Sequence, residues 1–417
     1  MADEATFLNA LFATAVEAVS PARCLPARLP VPPPRGRTVV IGFGKAAAAM
    51  ARVVEDHWPG PLSGVVVTRY GHGDTGTRRI DVIEASHPLP DTQCLVAADA
   101  VLAAVAGLSA DDLVICLASG GGSALLVRPA AGITLAEKRA VTGALLRSGA
   151  TISEINTVRK HLSEIKGGRL ALACQPARVV NLVISDVPGD DPATVACGPT
   201  IANKSNPEAA RLILARYRIT TPESISRHLS SSKAETPPPD HPAFARVVTS
   251  VIATAKDALQ AAAAMARAAG FDPILLGDDL EGEARAVAAG HAALALQLAA
   301  AGRRVAILSG GETSVTVTGP GRGGRNGEYL LALALALDGH AGIHALAADT
   351  DGIDGSEDNA GAVIAPDTLA RAHALGLDPA RMLAANDSYS LFAALGDLVV
   401  TGPTRTNVND FRAILIA

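Results

Sequence analysis

Three stretches of the chain combine glycine with residues that can handle an anion. In Gly42-Phe43-Gly44-Lys45, an ammonium sits in a tight turn, where it can neutralise a phosphoryl group as a point charge. In Ser119-Gly120-Gly121-Gly122-Ser123, three missing Cβ atoms let backbone N–H groups converge on an anion, and Ser123 adds a hydroxyl. A glycine turn that only packs closely would look the same in sequence. In Gly321-Arg322-Gly323-Gly324-Arg325-Asn326, a guanidinium can grip carboxylate or phosphate in two-pronged fashion. A flexible hairpin with solvated arginines is the plainer alternative.

Two carboxylate loops complete the inventory. Ser185-Asp186-Val187-Pro188-Gly189-Asp190-Asp191 and Asp349-Thr350-Asp351-Gly352-Ile353-Asp354 are of the type that holds Mg2+, which takes one or two carboxylates plus water and phosphate oxygens. Aspartates that form turns have the same spacing. The second loop lacks the twelfth-position glutamate of an EF-hand. His87 and His161 have serines nearby, Ser86 and Ser163, but no triad or metal-ligand spacing, and read as structural histidines. Gly42 to Ala47 also satisfies G-x-G-x-x-A, a dinucleotide fingerprint. The acid expected about 20 residues later is missing, and Arg69 stands where only NADP would suit it. No Walker A motif occurs.

These residues need elements to hold them. Residues 38–41, 64–68, 81–84, 113–117 and 179–184 read as short buried strands, separated by helical stretches at 92–108 and 134–148, so a mostly parallel sheet covered on both faces is expected. In such a sheet ligands lie beyond the carboxyl ends of the strands, so the loops after residues 41, 117 and 184 would share one crevice. Residues 4–19 have helical periodicity, with Asp3 as N-cap and Pro21 as the stop. The serine- and proline-rich stretch 230–242 marks the domain boundary. Beyond it the alternation resumes, with helices at 253–269, 281–301 and 328–337 and strands at 273–276, 305–308, 314–318, 344–347 and 398–400.

At 417 residues the chain suits two domains. A net charge of −5 with no long basic run excludes an electrostatic footprint for nucleic acid. The five cysteines are scattered singly, which points to a reducing compartment. Neither a secretory leader nor a membrane-spanning run is visible, so a cytoplasmic protein is expected. A homo-oligomer is left open.

Ten blocks in order, GFGKAA, EASHPLPD, SGGGSALL, EINTVRKHLSEIKGGRLA, ISDVPGDDPATVACGPT, LSGGETSVTV, GRGGRNGE, DTDGIDG, NDSY and TGPTRTNVND, resemble the class II glycerate kinases. These are the glycerate 2-kinases, whose C-terminal part is the MOFRL domain. The resemblance implies an α/β fold of two domains, a Rossmann-like three-layer α/β/α domain over 1–235 and a smaller MOFRL-type α/β domain over 236–417, with the active site in the cleft between them. It implies ATP- and Mg2+-dependent phosphorylation of D-glycerate to 2-phosphoglycerate. The family's essential lysine and arginine fall on Lys45 and Arg325.

On that footing Gly120, Gly121, Gly122 and Ser123 would hold the nucleotide phosphates, and Lys45 the transferring group. Arg325 would bind the glycerate carboxylate or that same group. Asp186, Asp191 and Asp351 are the magnesium candidates. The chain departs from the pattern at Gly327, Cys197, Asp349 and Arg405, where Gln, Ser, Gly and Gly are usual; these positions bear on substrate preference. The rival reading is an NADPH-dependent hydroxypyruvate reductase, for which G-x-G-x-x-A and Arg69 speak. A non-catalytic sensor of ATP or glycerate is the third.

Overall fold

A computed structural model of the protein describes residues 4–417; Asp3, the expected N-cap, lies outside the described residues. Two six-stranded sheets organise the chain. The first contains β1 (Thr38–Phe43), β2 (Ser63–Arg69), β3 (Ile80–Ala85), β4 (Leu113–Ala118), β5 (Arg178–Ile184) and β6 (Val247–Ala253), in the order β3-β2-β1-β4-β5-β6. Pairing from β3 through β5 is parallel throughout. Every residue of β1 and β4 is buried, as strands covered on both faces must be. Val39, Ile41 and Phe43 pack with Ala97, Ala98 and Val101 of the helix Thr92–Ala104. The chain leaves β1 toward β2 on one side and returns as β4 on the other, so the loops after β1 and β4 flank the point where the winding reverses.

A helical layer is added to this Rossmann-like body. Helices Leu135–Arg147, Ile152–His161, Pro207–Arg216 and Glu223–Leu229 share a core of their own that includes Val141, Leu145, Ile155, Val158, Ile213 and Leu229. Thr134 and Thr151 each form a reciprocal capping box, with Glu137 and Glu154, which fixes where the first two helices begin.

The second sheet contains β7 (Asp272–Glu283), β8 (Val305–Ser314), β9 (Ile343–Asp349), β10 (Gly361–Ile364), β11 (Leu398–Val399) and β12 (Asp410–Ile416), in the order β11-β10-β9-β12-β8-β7. Only β7 and β8 pair in parallel; the remaining pairings are antiparallel. The C-terminal strand β12, fully buried, is central. It inserts between β8 and β9, so the helix crossovers expected of a parallel sheet do not set this order.

The chain divides into two compact units, residues 24–252 and the N-terminal residues through Arg23 together with 253–417. This differs from a division at 235/236 in two ways. The stretch 230–242 belongs inside the first unit, with Ala234 and Ala243 buried, because β6 follows it and completes the first sheet. The leading helix Glu4–Ala18 belongs to the second unit. Its apolar stripe docks there, with Phe12 against Phe411 (5.8 Å between ring centroids) and Phe7 stacked on Phe271 (5.5 Å). Among the described residues no helix is long and apolar enough to cross a membrane.

Candidate functional site

The turns after β1 and β4 are neighbours, since Phe43 and Ala118 pair at the ends of their strands. Their backbone donors are used differently. After β1 the turn is internally satisfied: Gly44 N–H donates to the Val67 carbonyl (3.1 Å), Lys45 N–H to Gly120 (2.8 Å) and Ala47 N–H to Gly44 (3.1 Å). Ala46 N–H donates to Ser119 Oγ (3.0 Å). A dinucleotide fingerprint works by offering such N–H groups to a pyrophosphate, and here they are taken. After β4, by contrast, the N–H groups of Gly120, Gly121 and Ser123 have no hydrogen-bond partner among the described residues, and that of Gly122 has only a long one to Ser119 (3.4 Å).

The glycines of this turn have distinct jobs. Gly121 has φ +79°, a left-handed conformation in which a Cβ is strained, and that Cβ would come within 3.1 Å of His87 Nε2 and 3.2 Å of Lys45 Cγ. A Cβ on Gly122 would lie 2.7 Å from that of Ala196. Lys45 and His87 therefore flank the glycine turn. The helix that follows the glycines is a single turn, Gly122–Leu125. A macrodipole needs several aligned turns, so any attraction for an anion here comes from the local donors and cations.

Ser123 opens onto a further cluster that sequence spacing did not reveal. Its hydroxyl bonds Cys197 Sγ (2.8 Å), which in turn donates to Asn156 Oδ1 (3.1 Å). Burial pushes the Cys197 thiol up, but Lys166, Arg159 and Lys160 outweigh it and leave it below the ordinary cysteine range. Lys166 is itself fully buried, donates to the Ala196 carbonyl (3.0 Å), and is pushed by burial down to about 8. The polar density of residues 155–163 was the available sequence signal. It did not say that Lys166 folds back toward residue 196.

Asp186 is half-buried and Asp191 exposed. Asp191 Oδ1 accepts from Ala193 N–H (3.0 Å), the turn-forming role. His161 is structural, with Nδ1 on the Ala234 carbonyl (2.8 Å) and Nε2 on Ser205 Oγ (3.0 Å).

Arg325 and Asp351 belong to the other unit. The glycine and arginine loop there is a packed element, not a flexible hairpin. A Cβ on Gly321 would lie 2.5 Å from the Ala385 carbonyl oxygen and from Asp387 Cβ, and one on Gly327 would lie 2.7 Å from Ser388 Oγ. Arg322 is paired with Glu357 and stacked over Tyr389. Arg325 opens the helix Arg325–Leu337 and spends three of its five N–H donors on carboxylates: Nε on Asp410 (2.8 Å), one Nη on Asp349 (2.7 Å) and the other on Glu312 (3.0 Å). Burial disfavours its charge, but Asp410, Asp349 and Glu312 raise its pKa well above the ordinary arginine value. An arginine so surrounded is first an organiser of acids, which the expected grip on a substrate carboxylate did not anticipate. Asp410 also accepts from Asn326 Nδ2 (2.8 Å) and Arg412 (2.5 Å). Asp351 is buried and turn-bonded, accepting from Ile353 N–H (2.8 Å). Among the described residues no three His, Cys, Asp or Glu side chains converge as a metal cage, and Mg2+ on phosphate does not require one. The stretch 309–312, glycine-rich like residues 119–123, is no turn at all. It runs through β8, with a bulge against β7 at Gly277 and Leu280.

The sequence profile of a domain of unknown function, DUF4147, matches residues 7–230, and that of the MOFRL family matches 305–410. A D-glycerate 2-kinase of Thermotoga maritima is 39% identical over 95% of this chain and 94% of its own length. The chain belongs to the glycerate 2-kinase family with a C-terminal MOFRL domain. The crystal structure of a Thermotoga maritima glycerate kinase superimposes with a TM-score of 0.88 at 38% identity, covering 99% of both chains. A protein of Agrobacterium vitis with a provisional hydroxypyruvate reductase name is 54% identical over 98% of this chain and 94% of its own length. Members of one glycerate 2-kinase family thus carry two activity names.

Proposed function

We propose that this family member transfers the terminal phosphoryl group of ATP to the 2-hydroxyl of D-glycerate, giving 2-phosphoglycerate and ADP. The contrast between the two turns carries this reading: donors after β4 are available for phosphate, whereas those of the dinucleotide-type turn after β1 are bonded internally. The hydroxyl oxygen attacks the terminal phosphorus as its bond to the ADP oxygen breaks, and the hydroxyl proton leaves to a carboxylate or water. Such a transfer needs positioning and charge neutralisation more than covalent catalysis. Gly120, Gly121, Gly122 and Ser123 hold phosphate oxygens on their N–H groups, and Lys45 neutralises the transferring group. Arg325 fixes Asp349, Asp410 and Glu312 and keeps two N–H groups for an oxygen of the substrate. Mg2+ bound with the nucleotide would be held by one or two of Asp186, Asp191 and Asp351, and would supply charge neutralisation at the phosphates.

One purified sample assayed two ways tests the reading. ADP release that requires D-glycerate and Mg2+, with no NADPH consumption on hydroxypyruvate, is expected; the reverse result would establish the reductase. Lys45→Ala and Arg325→Ala should each lower kcat/KM by about 100-fold or more, in the range lost when a preorganised charge is removed. Near-wild-type turnover in both would overturn their assignment. Phosphorus NMR of the product identifies the phosphorylated hydroxyl.

A further inference from the structure

Beside Ser123 the first unit contains a narrow recess of about 70 Å³ that opens to solvent. It is lined by the loop Pro88, Leu89 and Pro90 and by Thr142, Gly143 and Leu146 of the helix Leu135–Arg147. Leu89 and Leu146 are 59% and 55% exposed, so two large apolar side chains stand in solvent at the same mouth. Scattered single leucines on a surface need no explanation, but two exposed ones lining the same recess do.

The lining is unusual in charge as well. Lys138, Arg139, Arg159 and Lys166 contribute to it, and none of its lining residues is a carboxylate. Lys138 and Lys166 are only 5% and 0% exposed. Their ammonium groups meet backbone carbonyls, Lys138 on Leu162 (2.7 Å) and Arg159 (3.4 Å) and Lys166 on Ala196 (3.0 Å). Each carbonyl occupies one donor of three and supplies no counter-charge. Buried cations are ordinarily paired. Burial lowers both lysines, Lys166 to about 8 and Lys138 well below its ordinary value, the cost of leaving them without an anion.

An apolar mouth above cations that have no carboxylate beside them matches a ligand that is apolar at one end and polyanionic at the other. We propose that this recess is the nucleoside subsite, with the purine between Leu89 and Leu146 and the polyphosphate running past Arg159 and Lys166 to Ser123. The inference rests on the ATP-dependent reading and adds to it the residues that select the nucleotide. Lys138 then has two duties, capping the last carbonyls of the helix Ile152–His161 and contributing positive potential to the slot.

Leu146→Glu tests the subsite without touching the core, because the side chain is exposed and the new carboxylate faces the slot mouth. Binding of N-methylanthraniloyl-ATP to the full-length protein, followed by fluorescence without glycerate, should weaken about tenfold or more, one such step being ~1.4 kcal/mol. KM for ATP should rise similarly, with KM for glycerate within about twofold, since only the nucleotide end is altered. Photolabelling with 8-azido-ATP should mark peptides from residues 88–90 or 139–146. Unchanged nucleotide affinity in Leu146→Glu, with the label elsewhere, would overturn the subsite while leaving a glycerate-dependent kinase intact. Conversely, nucleotide binding that Leu146→Glu abolishes in a protein with no glycerate turnover would support the subsite and remove the kinase reading.

Discussion

Cys197 shows how a thiol can be built into a polar site. It lies at φ +61°, a region costly for any residue with a Cβ, and its thiol joins Ser123 to Asn156. Serine, the residue the family resemblance leads one to expect here, offers the same donor and acceptor with a shorter bond. Cys197→Ser should therefore retain kcat/KM within about threefold, because the hydrogen-bond pair is preserved, while Cys197→Val should lose far more. A steady-state assay of the two variants separates the cases.

Asp354 provides a residue-scale prediction about pH. Its carboxylate is fully buried and accepts from the N–H groups of Asn326 (3.0 Å) and Gly327 (2.8 Å), so it caps the helix that Arg325 opens. Burial outweighs those bonds and raises it from 3.8 to about 6. Since the folded pKa is the higher, the folded state holds more protons between about pH 4 and 6, and the group's penalty is absent below 4 and complete above 6. Stability from this group thus falls as pH rises through that window, by something on the order of 2–3 kcal/mol. Urea unfolding at pH 4.5 and 7 should show that slope reduced in Asp354→Asn.

At the scale of elements, the two glycine-rich stretches that look alike in sequence have opposite fates. Residues 119–123 follow an internal parallel strand and must turn, because the next strand in chain order, β5, pairs parallel beside β4 and is reached only through a helical crossover. Residues 309–312 continue β8, because β7 pairs beside them and its Leu280 backbone fills the space a side chain at Gly311 would need. Local composition is the same, and pairing decides. In the real turn, Gly121→Ala adds a methyl at positive φ beside His87 and Lys45. The expected cost is about 1–3 kcal/mol of local strain and a loss in kcat/KM of tenfold or more; a melting curve together with kinetics distinguishes displaced lysine from simple unfolding. A variant equal to wild type in both would mean that the turn is not held in this conformation.

For the whole molecule, the first helix and the last strand belong to one unit. Leu8, Leu11 and Phe12 are at most 2% exposed, and the helix that carries them packs on β9 and β12. Leu11→Ala should cost about 2–5 kcal/mol as a core truncation. Hydrogen exchange should then report lost protection in β9 and β12, with residues 24–252 little changed. Equal loss in both units would contradict the division of the chain.

Much of the fold was legible before any coordinates. The continuous apolar runs of β1, β4 and β5 named a buried parallel sheet, because only strands covered on both faces read that way. The helical stretch at 134–148 was legible too, although the capping boxes at Thr134 and Thr151 were not. Lys45 and the glycine turn were legible as chemistry for a similar reason, since residue type and a strand-to-helix turn are local properties. The sequence did not reveal β6, β10 or β12, whose identities as strands rest on pairing with strands distant in the chain: β12, for one, pairs with β8 and β9. Nor did it reveal the role of Arg325. Its three acid partners, Glu312, Asp349 and Asp410, lie 13, 24 and 85 positions away, and no periodicity records such a meeting. By itself the sequence determined the local elements, the family and the residue types available for phosphoryl transfer. Which donors are spent and which cations stay without a counter-charge was decided only by tertiary structure, because hydrogen bonding and desolvation depend on what long-range folding brings within a few ångströms.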